Sequence, residues 1–295
     1  MKILVIGRHG QLAQSLAERG GSGIALMGRP DLDLAVPGSA RFAILTARPE
    51  WIVNAAAFTA VDLAETEEPA ARRINADAAG EIAAAAHELG VPVIHISTDY
   101  VFDGQASEPY AEPGATGPIN AYGRTKLAGE VAVRAATPEH LILRTSWLVS
   151  PFGNNFVRTM VELGQRRDTL SVVADQHGNP TSTLDLADAV LIIARRLGAG
   201  ESSGLGQTYH LAGTGIASWF DVAVAVQEEL AALGAKSARV NPIATADWPT
   251  PATRPAYSAL DTSAFTRDFG YALPDWRRSI QYIVRRLAGT DSRDE

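Results

Sequence analysis

The sequence contains no cysteine. That excludes disulfides, thiolate metal sites and cysteine nucleophiles, and it suits a reducing, cytoplasmic setting. It has no apolar run near the ~18 residues that a membrane span needs. The opening Met1-Lys2-Ile3-Leu4-Val5-Ile6-Gly7 is too short and too soon interrupted for a signal peptide, and reads as a buried first strand. Positive charge is not in excess: 26 Lys and Arg stand against 33 Asp and Glu, a net charge of −7, so no nucleic-acid partner is expected. The six histidines (His9, His87, His95, His140, His177 and His210) fall at no metal-ligand spacing, and no metal site is expected from them.

What is present is enough apolar material for a full core: 46% of 295 residues. Short apolar runs at 2–6, 23–27, 51–54, 91–97 and 140–145 read as strands. They alternate with helical patterns at 10–19, 39–47, 68–89 and 119–136. The long pattern at 68–89 is alanine-rich, with no proline after Pro69. This alternation predicts an α/β fold, a doubly wound parallel sheet of Rossmann type covered on both faces. Beyond it, helices are predicted over 184–197, 217–233 and 276–287, with proline-containing loops at 178–181 and 247–251. The expected division is a dinucleotide-binding domain over 1–147 and a smaller, interleaved substrate lobe over 148–295, with about 175–200 returning to the Rossmann core. A short polar tail from about 289 is expected to be disordered.

Gly7-Arg8-His9-Gly10-Gln11-Leu12-Ala13 has the form G-x-x-G-x-x-A and joins the first strand to the first helix. In that setting Gly7 permits the tight turn, Gly10 lets a pyrophosphate approach the backbone, and Ala13 allows close helix packing. The helix N-terminus adds unpaired N–H groups and partial positive charge. The second strand ends in Met27-Gly28-Arg29 with no acid to bind a ribose 2′-OH; Asp31 and Asp33 follow later. Arg29 can pair with a 2′-phosphate, so NADPH is the expected cofactor with NADH also accepted, while Asp33 and Leu34 are expected beside the adenine.

Tyr122-Gly123-Arg124-Thr125-Lys126 places a tyrosine and a lysine one helical turn apart, at the start of the helix after the fourth strand. That strand ends in Ser97-Thr98-Asp99, and strand carboxyl ends face the ligand crevice of a doubly wound sheet. Carbonyl reduction needs a hydride at carbon and a proton at oxygen. A phenol with pKa ~10 is a sluggish acid–base group, and a nearby ammonium is expected to lower it toward neutrality. Thr98 is expected to donate to the developing alkoxide, and Lys126 to hold the nicotinamide ribose as well.

The chain resembles the dTDP-4-dehydrorhamnose reductase family of the extended short-chain dehydrogenases. The residues that carry the likeness are Gly7, Gly10-Gln11-Leu12, the run from Val53 to Asp62, Ser97 to Phe102, Tyr122 to Glu130, and Arg144 to Trp147. Further on come Gly153-Asn154-Asn155-Phe156, Asp175-Gln176-His177-Gly178 with Pro180-Thr181, and Arg254-Pro255. The resemblance implies reduction of the C4 carbonyl of dTDP-4-dehydro-L-rhamnose, with Thr98, Tyr122 and Lys126 as the catalytic trio. It places Gln11, Leu12, Ala57, Phe58 and Thr59 along the cofactor, and Asp99 and Trp147 beside the sugar. Asn154, Asn155 and Arg254 are expected to serve the nucleotide diphosphate.

Some members of that family hold magnesium at a dimer interface through glutamates of the first and last helices. Here those helices offer Gln14, Ser15, Arg285 and Arg286, so magnesium is not expected, and the expected state is a monomer or weak homodimer. Two other functions fit the same fold. A sugar-nucleotide dehydratase or epimerase would want a second carboxylate beside Thr98, where Asp99 is followed by Tyr100. A non-catalytic regulatory subunit, of the kind that serves methionine adenosyltransferase, would not need Thr98, Tyr122 and Lys126 together.

Overall fold

A computed structural model describes residues 2–201 and 204–289; the tail expected to be disordered lies, from residue 290 on, outside the described residues. The first half runs β1 (Ile3–Ile6), α1 (Gln11–Gly20), β2 (Ile24–Met27), α2 (Ser39–Ala47), β3 (Trp51–Asn54), α3 (Val61–Ala64) and α4 (Glu68–Arg72). A π turn (Arg73–Asp77) leads into α5 (Ala78–Leu89), followed by β4 (Val93–Thr98), α6 (Ala121–Ala136) and β5 (His140–Thr145). The second half runs β6 (Leu148–Val149), α7 (Phe156–Arg166), β7 (Thr169–Val173), β8 (His177–Gly178), β9 (Thr181–Ser182) and α8 (Thr183–Gly198). It closes with β10 (Gln207–His210), β11 (Ala217–Ser218), α9 (Trp219–Ala232), β12 (Arg239–Ile243), α10 (Ser263–Phe269) and α11 (Trp276–Leu287).

Among the described residues the main sheet has the order β2-β1-β3-β4-β5-β10. Every pairing in it is parallel. Strand residues alternate between two cores because side chains alternate across a sheet. Ile3, Val5, Val53, Ile94 and Leu143 meet α1, α8 and α10 on one face. Leu4, Ile6, Ile52, Val93 and Ile142 meet α2 and α5 on the other. Full burial of each large aliphatic chain contributes about 1.5–3 kcal/mol. The chain leaves β1 for β2 on one side and returns to β3 on the other, so the carboxyl ends of β1 and β3 flank a topological switch point, where such sheets bind ligands.

A third apolar cluster lies outside the sheet. Val157 and Met160 of α7, Val222 and Val226 of α9, and Ile280 and Ile283 of α11 pack on the parallel pair β7 and β12. Helix α8 packs back on α1, where the Ser15 and Thr183 hydroxyls meet at 2.7 Å. The long helix expected over 68–89 is interrupted at Arg73–Asp77, where the backbone widens to a π turn.

Candidate active site

The β1–α1 turn is built for an anion. Gly7 has φ +118°, and a Cβ there would lie 3.1 Å from the Ala56 nitrogen. Gly10 begins α1 without a side-chain cap, so the first N–H groups of that helix are left for a ligand. The Gln11 side chain reaches across to accept from the Ser150 hydroxyl at 2.8 Å. A crevice of about 510 Å³ opens over this turn. Gly7, Gly10, Gln11, Leu12, Arg29, Asp33, Leu34, Ala57, Thr59 and Asn154 all line it. These residues fit a dinucleotide. Arg8 also lines the crevice and is ion-paired with Asp31, which offsets that carboxylate's charge.

Phe58 takes no part in the crevice lining; its backbone is what is fixed. Its N–H donates to Asn75 Oδ1 at 2.7 Å, and Asn75 Nδ2 donates to its carbonyl at 3.2 Å and to Thr125 Oγ1 at 3.0 Å. Asn75 belongs to the π turn, which aims it at the 55–59 segment. Widened turns of this kind are common at functional sites. Asn75 is thus a positioning residue that sequence reasoning missed; an asparagine inside an alanine-rich helix was the available signal.

Thr98 ends β4, and its hydroxyl donates to Asp99 Oδ1 at 2.9 Å while accepting from the Tyr100 N–H at 3.2 Å. The hydroxyl also lies close enough to the Tyr122 phenol to act on its pKa. Tyr122 sits in the first turn of α6, which Asn120 caps by accepting from the Gly123 N–H at 2.8 Å. The close approach of α6 to the Tyr100 carbonyl leaves no room for a Cβ at Gly123. Thr98, Asp99 and Tyr122 therefore converge at one point beside the crevice.

The expectation that Lys126 draws the Tyr122 pKa toward neutrality is corrected. Burial pushes the phenol up to about 12, the Asp99 carboxylate adds to this, and only the nearby Thr98 hydroxyl opposes it. The lysine is turned inward: Nζ donates to the Ile96 carbonyl at 2.7 Å and lies 3.4 Å from His95 Nε2. Burial pulls Lys126 down to about 8, against the pull of Glu130. Glu130, one turn further on, is fully buried and ties α6 to β5 and β4: it accepts from Arg144 Nε at 2.9 Å and from the Ser97 hydroxyl at 2.6 Å. Asp99 is held up to about 7, with burial the largest cause and the nearby Ser258 and Thr98 hydroxyls opposing it.

A second, larger cleft of about 700 Å³ lies in the outer lobe, walled by α7, β7 and parts of the 243–254 segment. Phe156, Met160, Arg167, Trp219, Trp248 and Arg254 contribute to its walls. Trp147 is buried behind it, stacked on Trp219 with ring centres 3.7 Å apart. A Cβ on Gly178 would come within 2.8 Å of the Trp147 ring, which explains the glycine in the Asp175–Gly178 block. Trp147 has φ +46°, a conformation bulky residues rarely adopt, held here by the stacking and burial around it. Trp219 is the half-buried member of that pair and lines the cleft, and nothing in its sequence context marked it.

Two expected substrate residues are corrected. Asn155 caps α7: Oδ1 accepts from the Arg158 N–H at 3.2 Å and Nδ2 donates to the Ser150 carbonyl at 2.8 Å, so its side chain is committed to its own loop. Asn154 faces the dinucleotide crevice instead of the larger cleft. Arg254 does line the larger cleft, but Asp62 accepts from Nη1 at 3.0 Å and from Nη2 at 2.9 Å. Arg254 thus offers its charge there, with its fork already occupied, and holds the Asp62 carboxyl below the usual range chiefly through that hydrogen bond. Among the described residues no group of three or more His, Asp or Glu side chains is arranged to hold a metal ion. No described helix is long and apolar enough to cross a membrane.

A family model described as RmlD substrate binding domain matches residues 1–288. The chain is 45% identical over 289 residues to a dTDP-4-dehydrorhamnose reductase of Sinorhizobium fredii, covering 97% of this chain and 98% of that one. It also matches the crystal structure of a dTDP-4-dehydrorhamnose reductase from Clostridium acetobutylicum. The TM-score is 0.89 at 37% identity, covering 98% of this chain and 100% of that one. The dTDP-4-dehydrorhamnose reductase of Bacillus anthracis, solved in complex with NADP, matches with a TM-score of 0.88 at 34% identity, covering 97% and 100%.

Proposed function

The chain belongs to the RmlD substrate binding domain family, that of the dTDP-4-dehydrorhamnose reductases, and from that premise we propose how its own residues perform the reaction. It is a nicotinamide-dependent oxidoreductase of the short-chain dehydrogenase superfamily that reduces the C4 carbonyl of dTDP-4-dehydro-L-rhamnose to give dTDP-L-rhamnose. When bound, the reduced nicotinamide supplies the hydride to the carbonyl carbon. Tyr122 gives its phenolic proton to the carbonyl oxygen, and the high pKa that burial imposes keeps that proton in place until the oxygen becomes basic. Thr98 lies beside the phenol, and its hydroxyl proton turns from Asp99 Oδ1 to the developing alkoxide. Lys126 directs its remaining N–H toward the cofactor ribose, and the turn at Gly7 and Gly10 receives the pyrophosphate.

The larger cleft takes the nucleotide part of the substrate, with Arg254 and Arg167 supplying positive charge and the Trp147–Trp219 pair a flat apolar wall near the sugar. In this division residues 1–147 carry the cofactor and 148–295 mainly the substrate. We place the enzyme in the cytoplasm, as a monomer or weak homodimer, with NADPH preferred and NADH accepted. The observation that carries the reading is the meeting of Thr98, Asp99 and Tyr122 beside a glycine-lined crevice whose helix N-terminus is uncapped. The test is NADPH oxidation with dTDP-4-dehydro-L-rhamnose, with the product identified. A dehydratase or epimerase would turn over without net consumption of nicotinamide.

A further inference from the structure

His95 lies on β4 beneath the crevice, buried, and the reaction as described makes no use of it. Its Nδ1 is 3.1 Å from Asn54 Nδ2 and its Nε2 is 3.4 Å from Lys126 Nζ, so the imidazole bridges β3 to the lysine of α6. The charged and titratable groups that face it are few. Lys126 and Arg134 come from α6 and His140 from β5, while Glu130 acts on the lysine from one turn away. Burial first, then these positive neighbours, hold His95 well below its ordinary range, so the ring is neutral and carries one N–H.

One N–H cannot serve both sides in the same way. When Asn54 donates to Nδ1 and its Oδ1 accepts from the Ala56 N–H at 3.3 Å, the ring proton is on Nε2 and points at Lys126. That arrangement suits an uncharged amine, which can accept. An ammonium needs the other tautomer, with the proton on Nδ1 facing an Asn54 oxygen and the Nε2 lone pair accepting from Nζ. The Asn54 amide and the imidazole thus have one arrangement for each charge state of the lysine.

We propose that His95 is a positioning residue for Lys126, a tautomeric partner that, together with the Asn54 amide, switches as the lysine gains or loses its proton and accepts from the ammonium when it is aimed at the cofactor. The proposal rests on the reading that Lys126 binds the cofactor ribose. Since Asn54 also bonds the Ala56 N–H, the charge of Lys126 is linked to the 55–59 segment that lines the same crevice.

The test is the dissociation constant of NADPH for the full chain, read by its fluorescence from pH 7 to 10 without sugar substrate. In the wild type, binding weakens as Lys126 loses its proton. His95→Leu removes the acceptor, and the weakening begins about one pH unit lower, making binding up to about tenfold weaker in between. His95→Gln, which offers a fixed carbonyl oxygen, returns the onset toward the wild type. A purely structural role would weaken binding at every pH without moving the onset. Lys126→Met gives a flat profile; if it keeps the wild-type slope, the ribose role of Lys126 has failed. The wild type alone decides the proposal by a second route: nitrogen NMR of His95 shows the ring proton passing from Nδ1 to Nε2 across the same range. A single tautomer throughout, or an onset unmoved in His95→Leu, overturns it.

Discussion

Tyr122, Arg29 and Asp99 each carry a chemical role that one substitution can isolate. Tyr122→Phe keeps the ring and removes the proton, so kcat is expected to fall by roughly 10²–10⁴ while the Kd for NADPH holds; near-normal turnover would remove Tyr122 from the acid role. Arg29 lies exposed on the crevice rim; the nearby Asp31 is paired with Arg8, while Asp33 on the same rim opposes a 2′-phosphate in part. A charged hydrogen bond contributes about 1.5–3 kcal/mol, and Arg29→Ala is therefore expected to weaken NADPH by roughly tenfold to a hundredfold more than NADH. Steady-state kinetics with both cofactors check this, and equal losses would place Arg29 away from the 2′ position. Asp99 bears on stability. Its folded pKa of about 7 lies above the ordinary 3.8, so the native state binds more protons than the unfolded chain between those values, and stability falls as pH rises through that window. Asp99→Asn stays neutral, so its stability gain over the wild type should grow by roughly 2–4 kcal/mol between pH 4 and 8 in denaturant titrations. A gain independent of pH would mean that Asp99 titrates normally.

At the scale of elements, α6 is the part that most needs its exact neighbours. It carries Tyr122 and Lys126, and its Gly129 leaves only 2.1 Å between an added Cβ and the Asn75 carbonyl oxygen of the π turn. Gly129→Ala must push the two apart. It is expected to cost about 1–3 kcal/mol in thermal or denaturant unfolding and to raise the KM for NADPH, because Asn75 also fixes the 55–59 segment. A variant with unchanged stability would show that this contact is loose. Much of this architecture was legible beforehand: β1, β3, β4 and β5 are short apolar runs, and the glycine turn and the Tyr–Lys spacing are local patterns. What stayed hidden is non-local. β10 reads Gln-Thr-Tyr-His, too polar to show as a strand, and only its pairing with β5 makes it one. α7 and α10 lie among loops, outside the helices that the sequence pattern predicts. The π turn, the inward aim of Lys126 and the commitment of Asn155 to a cap all depend on which neighbours tertiary packing brings, and Trp219 became part of the site only through its stack with Trp147.

At the scale of the molecule, the Rossmann sheet and the outer lobe are joined over the site by a few polar ties. Asp62 of α3 holds Arg254 and the Ala252 N–H, and Asp175 holds Thr245 through its hydroxyl at 2.6 Å, so the segment carrying Trp248 is pinned at both ends. On the far side, Arg286 of α11 pairs with Glu18 of α1 at 2.6 Å, which puts a cation between the first and last helices. Added magnesium is therefore expected to leave sedimentation and activity unchanged; a magnesium-dependent dimer in ultracentrifugation would show that this surface binds metal after all. The reaction turns on hydride delivery to C4 of the sugar at the site formed by Thr98 and Tyr122. It is tested most directly by turnover of dTDP-4-dehydro-L-rhamnose with NADPH carrying deuterium in the transferable position at C4 of the nicotinamide. The predicted result is dTDP-L-rhamnose with one deuterium at C4 of the sugar for each NADPH consumed. Label found elsewhere in the sugar, or product formed while the nicotinamide is recycled, would contradict it.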